Sequence, residues 1–485
     1  MSAPPRVLFA AAEVFPLVKT GGLADVAAAL PSALMGLDVD IRVLMPAYPG
    51  IREQLLQVES AGCLRLDSED FELVGGRHPR SGMSMLLIDA PTLFDRPGSP
   101  YVDGDGRDYP DNARRFGLFC QAIAAIARGY AGSAWAADLV HLNDWHTALT
   151  PLWLGEGIAR PRSVFTIHNL AYQGLFERAD FDALGLPAEL WQPSGIEFYG
   201  RFSCMKAGLL YADALTTVSP SYASEIQTAQ FGEGLDGVLR DRRAALYGIL
   251  NGIDDAVWNP ATDPCLVQRY DITTVIDGKA ANKAALQSAL GLAVDPSALL
   301  IVFIGRLVEQ KGADALLASR TGLSQRPVQL ALLGSGERAL QTAFSDWADA
   351  QPDQVAVRIG YDEALAHRLT AAADCVIMPS RYEPCGMNQM YAQRYGSIPL
   401  VRRVGGLADS VAGLDSDAPA GIHFDHSDAG GVLYAVDEGL RRFAQPELWQ
   451  AMQRNGMRRD FSWRASAQRY LDLYQALLSE ARVAG

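Results

Sequence analysis

The sequence predicts an α/β protein built as two Rossmann-like, doubly wound domains facing across a cleft, and three observations lead there. Short apolar runs, many rich in β-branched residues, alternate with longer segments of helical period almost from end to end. Those runs are continuous rather than alternating, which implies strands buried on both faces and hence parallel sheets. Finally, 485 residues are too many for one such core. A stretch rich in Gly, Asn, Asp and Pro, LNGIDDAVWNPATD at 250–263, separates one strand–helix series from the next.

In chain order, strands are expected at 7–12, 41–46, 83–89, 139–142, 163–168 and 215–219, with helices at 23–34 and 113–131 among them. The second series places strands at 299–305, 328–334, 355–360, 375–379 and 398–401, and helices at 337–350 and 387–395. The expected division is an N-terminal domain over 1–255, a C-terminal domain over 256–460 and a closing helix over 461–485. That helix carries Tyr470, Leu473, Tyr474, Leu477 and Leu478 on one face, so it is expected to pack back on the N-terminal domain. GGLAD occurs twice, at 21–25 and 405–409, each time after a strand-like segment and at the opening of a helix.

Composition narrows the function. Apolar residues make up 49% and charged residues 20%, a globular balance that excludes a disordered, collagenous or coiled-coil chain. The net charge of −14 argues against nucleic acid or an anionic membrane as partner, while leaving room for a small anion held by a few local cations. The apolar run after Arg6 is halted by Glu13, too soon for a signal peptide, and nothing approaches the ~18 apolar residues of a membrane span. A cytoplasmic protein is expected. Six cysteines without a CxxC pair read as reduced, buried thiols rather than disulfides or a zinc site.

Several segments carry chemistry. Lys19-Thr20-Gly21-Gly22 precedes a helix start, where glycines let an anion approach free N–H groups and Lys19 adds a charge. The alternative is a tight turn with a solvated lysine. Arg306 and Lys311, in IGRLVEQKG, follow the second series' first strand, where open α/β sheets bind ligands, and two cations there suit a diphosphate. The alternative is a surface pair with Glu309. Glu383 and Cys385 lie in PSRYEPCGMNQ between a strand and a helix; the acid suits either hydroxyl binding or a helix start, the thiol packing. His168 ends a strand, and NDWHT holds His146 and Asp144, the latter also suited to capping a helix. GxSxG, HExxH and CxxC are absent, and Arg107 spoils the calcium-like DGDGRDYPD. The stretch 334–339 fits GxGxxG/A weakly, so a dinucleotide-linked oxidoreductase stands as a rival reading.

Together these blocks resemble the glycogen and starch synthase family of bacteria and plants, retaining glycosyltransferases of GT-B architecture. KTGGLADV (19–26), DYPDNARRF (108–116), NDWHT (143–147), FTIHNLAYQG (165–174), KAGLLYADALTTVSPSYA (206–223), ILNGID (249–254), GRLVEQKG (305–312) and SRYEPCGMNQMYAQRYGSIPLVRRVGGLADSV (380–411) follow that family's order and span nearly the whole chain. KTGGL together with EPCG is specific within GT-B enzymes.

The resemblance implies transfer of glucose from ADP-glucose to the non-reducing 4-hydroxyl of an α-1,4-glucan (glycogen), with retention, release of ADP, and no cofactor or metal. By the same resemblance Lys19 and Gly22 meet the donor phosphates, Arg306 and Lys311 clamp the diphosphate, and Tyr361 stacks on adenine. His168 and Asn251 surround the donor glucose, Glu383 and Cys385 contact it, and the backbone of Gly386, Met387 and Asn388 meets the distal phosphate. Asp144 stands on the acceptor side. Lys19, His168, Arg306, Lys311 and Glu383 form the expected catalytic set, with front-face attack and double displacement both open as routes to retention. Asn388 and Val404 stand where the family usually has Thr, Leu142-Asn143 replaces the common pair before Asp144, and AGIHFDH (420–426) is a loose version of a family segment. A glucan-binding protein that lost catalysis is a third reading, opposed by intact Lys19, Arg306, Lys311 and Glu383.

Overall fold

Alternate residues of the strand that opens the second series enter different cores. Leu299, Ile301 and Phe303 join the cluster holding Phe344, Trp347 and Val432, whereas Leu300 and Val302 join the one holding Leu286, Leu369 and Leu407. A period of two with both sets buried means a sheet covered on both faces. The computed structural model describes residues 4–66, 69–129, 135–157 and 160–483. The chain divides into two compact units, one of Met1–Val218, Ala223–Ile249 and Trp463–Gly485, the other of Ser219–Tyr222 and Leu250–Ser462.

The first unit holds β1 (Arg6–Ala10), β2 (Asp40–Pro46), β3 (Leu56–Leu66), β4 (Glu69–Arg77), β5 (Ser84–Asp89), β6 (Leu139–Asn143) and β7 (Arg162–Ile167). It continues with β8 (Leu175–Phe176), β9 (Glu197–Phe198), β10 (Arg201–Ser203), β11 (Ala214–Thr217) and β12 (Leu246–Gly248). Its main sheet runs β12-β11-β7-β6-β1-β2-β5-β4-β3, and β8, β10 and β9 form a small separate sheet. From β12 to β5 the pairing is parallel; β4 and β3 are antiparallel. The parallel expectation thus fails at one edge. The segment 56–77 has no continuous apolar run, and most of β3 is exposed, so it forms a hairpin with a wet face.

The second unit holds β13 (Leu299–Ile304), β14 (Val328–Gly334), β15 (Val355–Ile359), β16 (Cys375–Met378), β17 (Ile398–Arg402) and β18 (Ile422–Phe424), ordered β15-β14-β13-β16-β17-β18 and parallel throughout. In both sheets the strand order reverses beside the unit's first strand, at β1/β6 and at β13/β16. Connections leave these neighbours on opposite faces, which opens a crevice at their carboxyl ends. Every strand expected from the sequence is present to within two residues at each end. The expected helix at 113–131 ends at Ala127; its last two expected positions, 130 and 131, lie outside the described residues, as do 484 and 485 of the closing helix.

The helix Trp463–Val483 belongs to the first unit. Tyr470, Leu473 and Tyr474 are buried and Leu477 and Leu478 half-buried. His141, on β6, bridges the Tyr474 hydroxyl and Thr166 Oγ1 at 2.6 Å each, a buried polar link that fixes the helix against the sheet. All six cysteines are free, but Cys63 is exposed and Cys265 half-buried, against the expectation of uniformly buried thiols. Among the described residues no helix is long and apolar enough to cross a membrane.

Candidate active site

The turn after β1 is organised by Glu13, the acid that ends the apolar run at 7–12. Glu13 is buried, and its carboxylate accepts from Thr20 N–H (2.5 Å), Thr20 Oγ1 (2.5 Å), Gly21 N–H (3.2 Å) and the Tyr101 hydroxyl. Two N–H groups expected to face an anion are therefore taken internally. Gly22 stays exposed in open space, and Lys19 Nζ pairs with Asp25 at 2.8 Å. A glutamate three residues past the end of β1 gives no local signal of this role, because it accepts from backbone groups seven and eight positions on.

At the other side of the first reversal, β6 delivers Asp144 and β7 delivers His168. Asp144 has φ 56° and ψ −177°, a region that only glycine enters freely, at a cost of about 1–3 kcal/mol. Its side chain makes no capping bond to the short turn that follows, contrary to the capping expectation; it accepts from His168 N–H at 2.8 Å. Burial, with a smaller push from Glu13, raises its carboxyl to about 7. His168 Nε2 donates to Asn143 Oδ1 at 2.9 Å, and Asn143 Nδ2 donates to the Ala10 carbonyl, so the ring is oriented through β1. Burial lowers the imidazole to about 3, so it works as a neutral base or hydrogen-bonding group, not as a cation. His146 is buried among Tyr101, Phe116 and Trp145 with neither ring nitrogen hydrogen-bonded, a packed aromatic.

In the second unit the reversal joins the loops after β13 and β16. Lys311 Nζ lies 2.6 Å from Glu383 Oε2, and Ser380 Oγ donates to the same oxygen at 3.1 Å. Gly312 has φ +68°, and a Cβ there would sit 2.1 Å from the Pro379 carbonyl, so only glycine lets the two loops touch. Arg306 is exposed and donates to Gln310 at 2.8 Å, while Glu309 faces Arg381 at 3.5 Å, so the expected alternative pairing of Arg306 with Glu309 is not formed. Asn388 Nδ2 donates to the Ile304 carbonyl at 2.7 Å, tying the helix start after EPCG to the end of β13.

Cys385 is buried, and burial lifts its thiol to about 12, consistent with a packed neutral group. Gly386 has φ +70°, and Met387 stands at the N-cap of the helix Asn388–Arg394. Asn251 is buried with Oδ1 unpartnered, an acceptor left for a ligand. Lys311, Glu383, Gly386 and Asn388 thus gather around β13 and β16. Tyr361 does not join them: it follows β15, two strands away, is 79% exposed and borders a cavity of about 430 Å³ lined also by Leu286, Leu290, Arg358 and Arg368.

The weak dinucleotide pattern has another cause. A Cβ on Gly334 would meet the Gly305 carbonyl at 2.0 Å and one on Gly336 the Leu307 carbonyl at 2.3 Å, so these glycines admit the neighbouring loop. Among the described residues one trio, Asp263, Cys265 and His367, brings metal-capable atoms within 4.8 Å of one another. Asp263 Oδ2 already accepts from His367 Nδ1 (2.7 Å) and Tyr395 (2.6 Å). Although burial works against it, hydrogen bonds to Asp263 and Glu363 raise His367 to about 9. A protonated imidazole has no lone pair to offer, so Asp263 and His367 form an ion pair, with Cys265 beside it, rather than a metal site.

Comparisons with known proteins bear on the family and the fold. The family model described as the starch synthase catalytic domain matches residues 6–241, and that described as glycosyl transferases group 1 matches 292–446. Glycogen synthase 1 of Methylococcus capsulatus is 47% identical over 98% of this chain and 97% of its own. A glycogen synthase of Burkholderia thailandensis is 50% identical over 98% and 91%. Among solved structures, the catalytic domain of starch synthase IV from Arabidopsis thaliana, bound to ADP and acarbose, matches with TM-score 0.86 and 32% identity over 98% of this chain and 100% of that one. A sucrose-phosphate synthase from Thermosynechococcus elongatus, at 18% identity and TM-score 0.61, shares the fold.

Proposed function

The chain belongs to the glycogen and starch synthase family of glycosyltransferases, and from that premise we propose that it transfers glucose from ADP-glucose to the non-reducing 4-hydroxyl of an α-1,4-glucan, in the cytoplasm. The observation that carries the reading is the grouping of Arg306, Lys311 and Glu383 at the second unit's strand reversal. Cleavage of the anomeric bond builds charge on the departing diphosphate, and fixed cations aimed at that charge are the largest lever available. Lys311, held by Glu383, is such a fixed cation. Arg306, free to swing from Gln310, adds a fork that suits phosphate oxygens. These two do the work of a divalent ion in this reading, so transfer is expected to proceed in the presence of EDTA.

A carboxylate engaged by both Lys311 and Ser380 is a poor nucleophile, so Glu383 orients the ammonium and the sugar hydroxyls. Retention then follows from front-face attack. The bond from C1 to the phosphate oxygen breaks, the bond from C1 to the acceptor O4 forms on the same face, and the 4-hydroxyl proton passes to an oxygen of the departing ADP. Neutral His168 and the unpartnered Asn251 Oδ1 bind sugar hydroxyls, Tyr361 offers its exposed ring to adenine, Lys19 and Gly22 meet the phosphates, and Asp144 faces the acceptor. Cys385 contacts the glucose by its backbone and apolar surface, and the backbone of Gly386, Met387 and Asn388 holds the distal phosphate.

Incubation with labelled ADP-glucose and glycogen tests this directly. Label entering polymer, with ADP-glucose preferred to UDP-glucose in kcat/KM, is expected. Binding without transfer would favour a glucan-binding protein, and a nicotinamide-dependent absorbance change without transfer would favour the oxidoreductase.

A further inference from the structure

The turn between β4 and β5 is pinned to the loop that leads into Lys19. His78 is buried, and every polar position of its ring holds that turn. Nε2 lies 2.8 Å from the Phe15 carbonyl, and Nδ1 takes the N–H groups of Arg80 (3.3 Å) and Ser81 (3.1 Å), with Ser81 Oγ at 3.0 Å. A carbonyl only accepts, so Nε2 carries the proton and Nδ1 is the acceptor. What this construction presents is Arg80. Its exposed guanidinium lies 4.7 Å from the centroid of the Phe15 ring, and Lys19 Nζ lies 5.3 Å from the same centroid. Two cations therefore share one ring beside the glycine turn.

Their circumstances differ. Lys19 is neutralised by Asp25, whereas Arg80 has no ion-pair partner among the described residues, in a chain whose acids outnumber its bases by 56 to 42. The turn itself is short of free donors, since Thr20 N–H, Thr20 Oγ1 and Gly21 N–H are given to Glu13. An anion arriving here meets little free backbone, one paired lysine and one unpaired arginine. We propose that Arg80 is an additional donor-phosphate-binding residue: its fork takes diphosphate oxygens at the Lys19–Gly22 turn, and the diphosphate draws Lys19 away from Asp25. This rests on the reading above that the turn meets the donor phosphates.

The test compares wild type, Arg80→Ala and Arg80→Lys by calorimetric titration with ADP and by steady-state kinetics with ADP-glucose at saturating glycogen. Arg80→Ala is expected to raise the ADP Kd and the ADP-glucose KM about three- to tenfold. The effect should fall on KM more than on kcat, and ADP binding should depend less steeply on salt. Arg80→Lys recovers part of the loss by restoring charge without the fork. Since Arg80 is exposed, thermal melts report that the variants fold. A wild type that binds ADP alongside an Arg80→Ala variant with unchanged Kd and KM overturns the inference alone, as does an effect confined to the glycogen KM. A wild type that neither binds ADP nor transfers glucose overturns the functional reading and this inference with it.

Discussion

Lys311 and Glu383, 72 positions apart in sequence, form a 2.6 Å ion pair whose acid side chain is only 5% exposed. The pair closes the loop after β13 onto the loop after β16, so one contact serves both the packing of the two loops and the cation proposed to face the leaving group. Breaking a buried pair leaves the remaining charge uncompensated, at a cost of about 3–5 kcal/mol when both partners are deeply buried and less here, where Lys311 is 23% exposed.

Lys311→Ala should therefore lose both activity and stability. By analogy with deleting one transition-state donor, kcat should drop roughly 10²–10³-fold, and the melting temperature should fall because Glu383 is stranded. Lys311→Ala combined with Glu383→Gln should regain the melting temperature without regaining kcat. Arg306→Ala, at an exposed position, should lose activity with an unchanged melt. Wild-type kcat in the folded single variants would remove the diphosphate clamp from this part of the molecule.

Gly312 gives a second test of the same loop. With φ at +68° and the Pro379 carbonyl 2.1 Å from any Cβ, Gly312→Ala has to move the loop that carries Lys311. A loss of stability of about 1–3 kcal/mol is expected, together with a lower kcat because Lys311 no longer meets Glu383 in register. Chemical denaturation and steady-state kinetics check both, and a neutral variant would show that the loops are not locked together.

How much of this was legible beforehand follows from the range of each interaction. β13 and β16 announce themselves as unbroken apolar runs, because burial on both faces leaves no polar position to break them, and β14, β15 and β17 are interrupted only by Gln329, Arg358 and Arg402. The β3–β4 hairpin does not, since its partner is water on one side. Arg306, Lys311 and Glu383 were legible as strand-end residues, but the Lys311–Glu383 pairing was not, because nothing local to position 311 points to position 383. Glu13 and His78 were missed for the same reason: each acts by accepting from or donating to backbone groups, which leave no mark in sequence.

Asp144 should impose a pH dependence on acceptor use. Its carboxyl, raised to about 7 by burial, is neutral below that pH and accepts a hydroxyl proton poorly. kcat/KM for glucan is therefore expected to climb through pH 7 and level off above it, a rise absent from Asp144→Asn. Asn matches Asp in shape and carries the same backbone strain that Asp144 already bears, so the variant should fold. An unchanged inflection in Asp144→Asn would assign the titration to another group.

The buried pair of Asp263 and His367 makes the last prediction, and it concerns stability. Trp258 stacks on the imidazole at 3.8 Å, while Asp263 Oδ2 accepts from Nδ1 at 2.7 Å, so the segment before the helix Val275–Leu290 is fastened to the helix Glu363–Ala372 that follows Tyr361. His367 titrates at about 9 in the folded chain against 6.5 ordinarily. A raised folded value means that the stabilisation is fully present below pH 6.5 and is lost as pH climbs toward 9. The shift corresponds to at most about 3 kcal/mol. Urea unfolding of the wild type should show stability falling between pH 6.5 and 9. His367→Gln, which keeps a hydrogen-bond donor but cannot titrate, should be less stable at pH 6 and nearly flat over the same interval. If the variant retained the wild-type slope, the loss would belong to other groups, and the Asp263–His367 contact would be a neutral hydrogen bond rather than an ion pair.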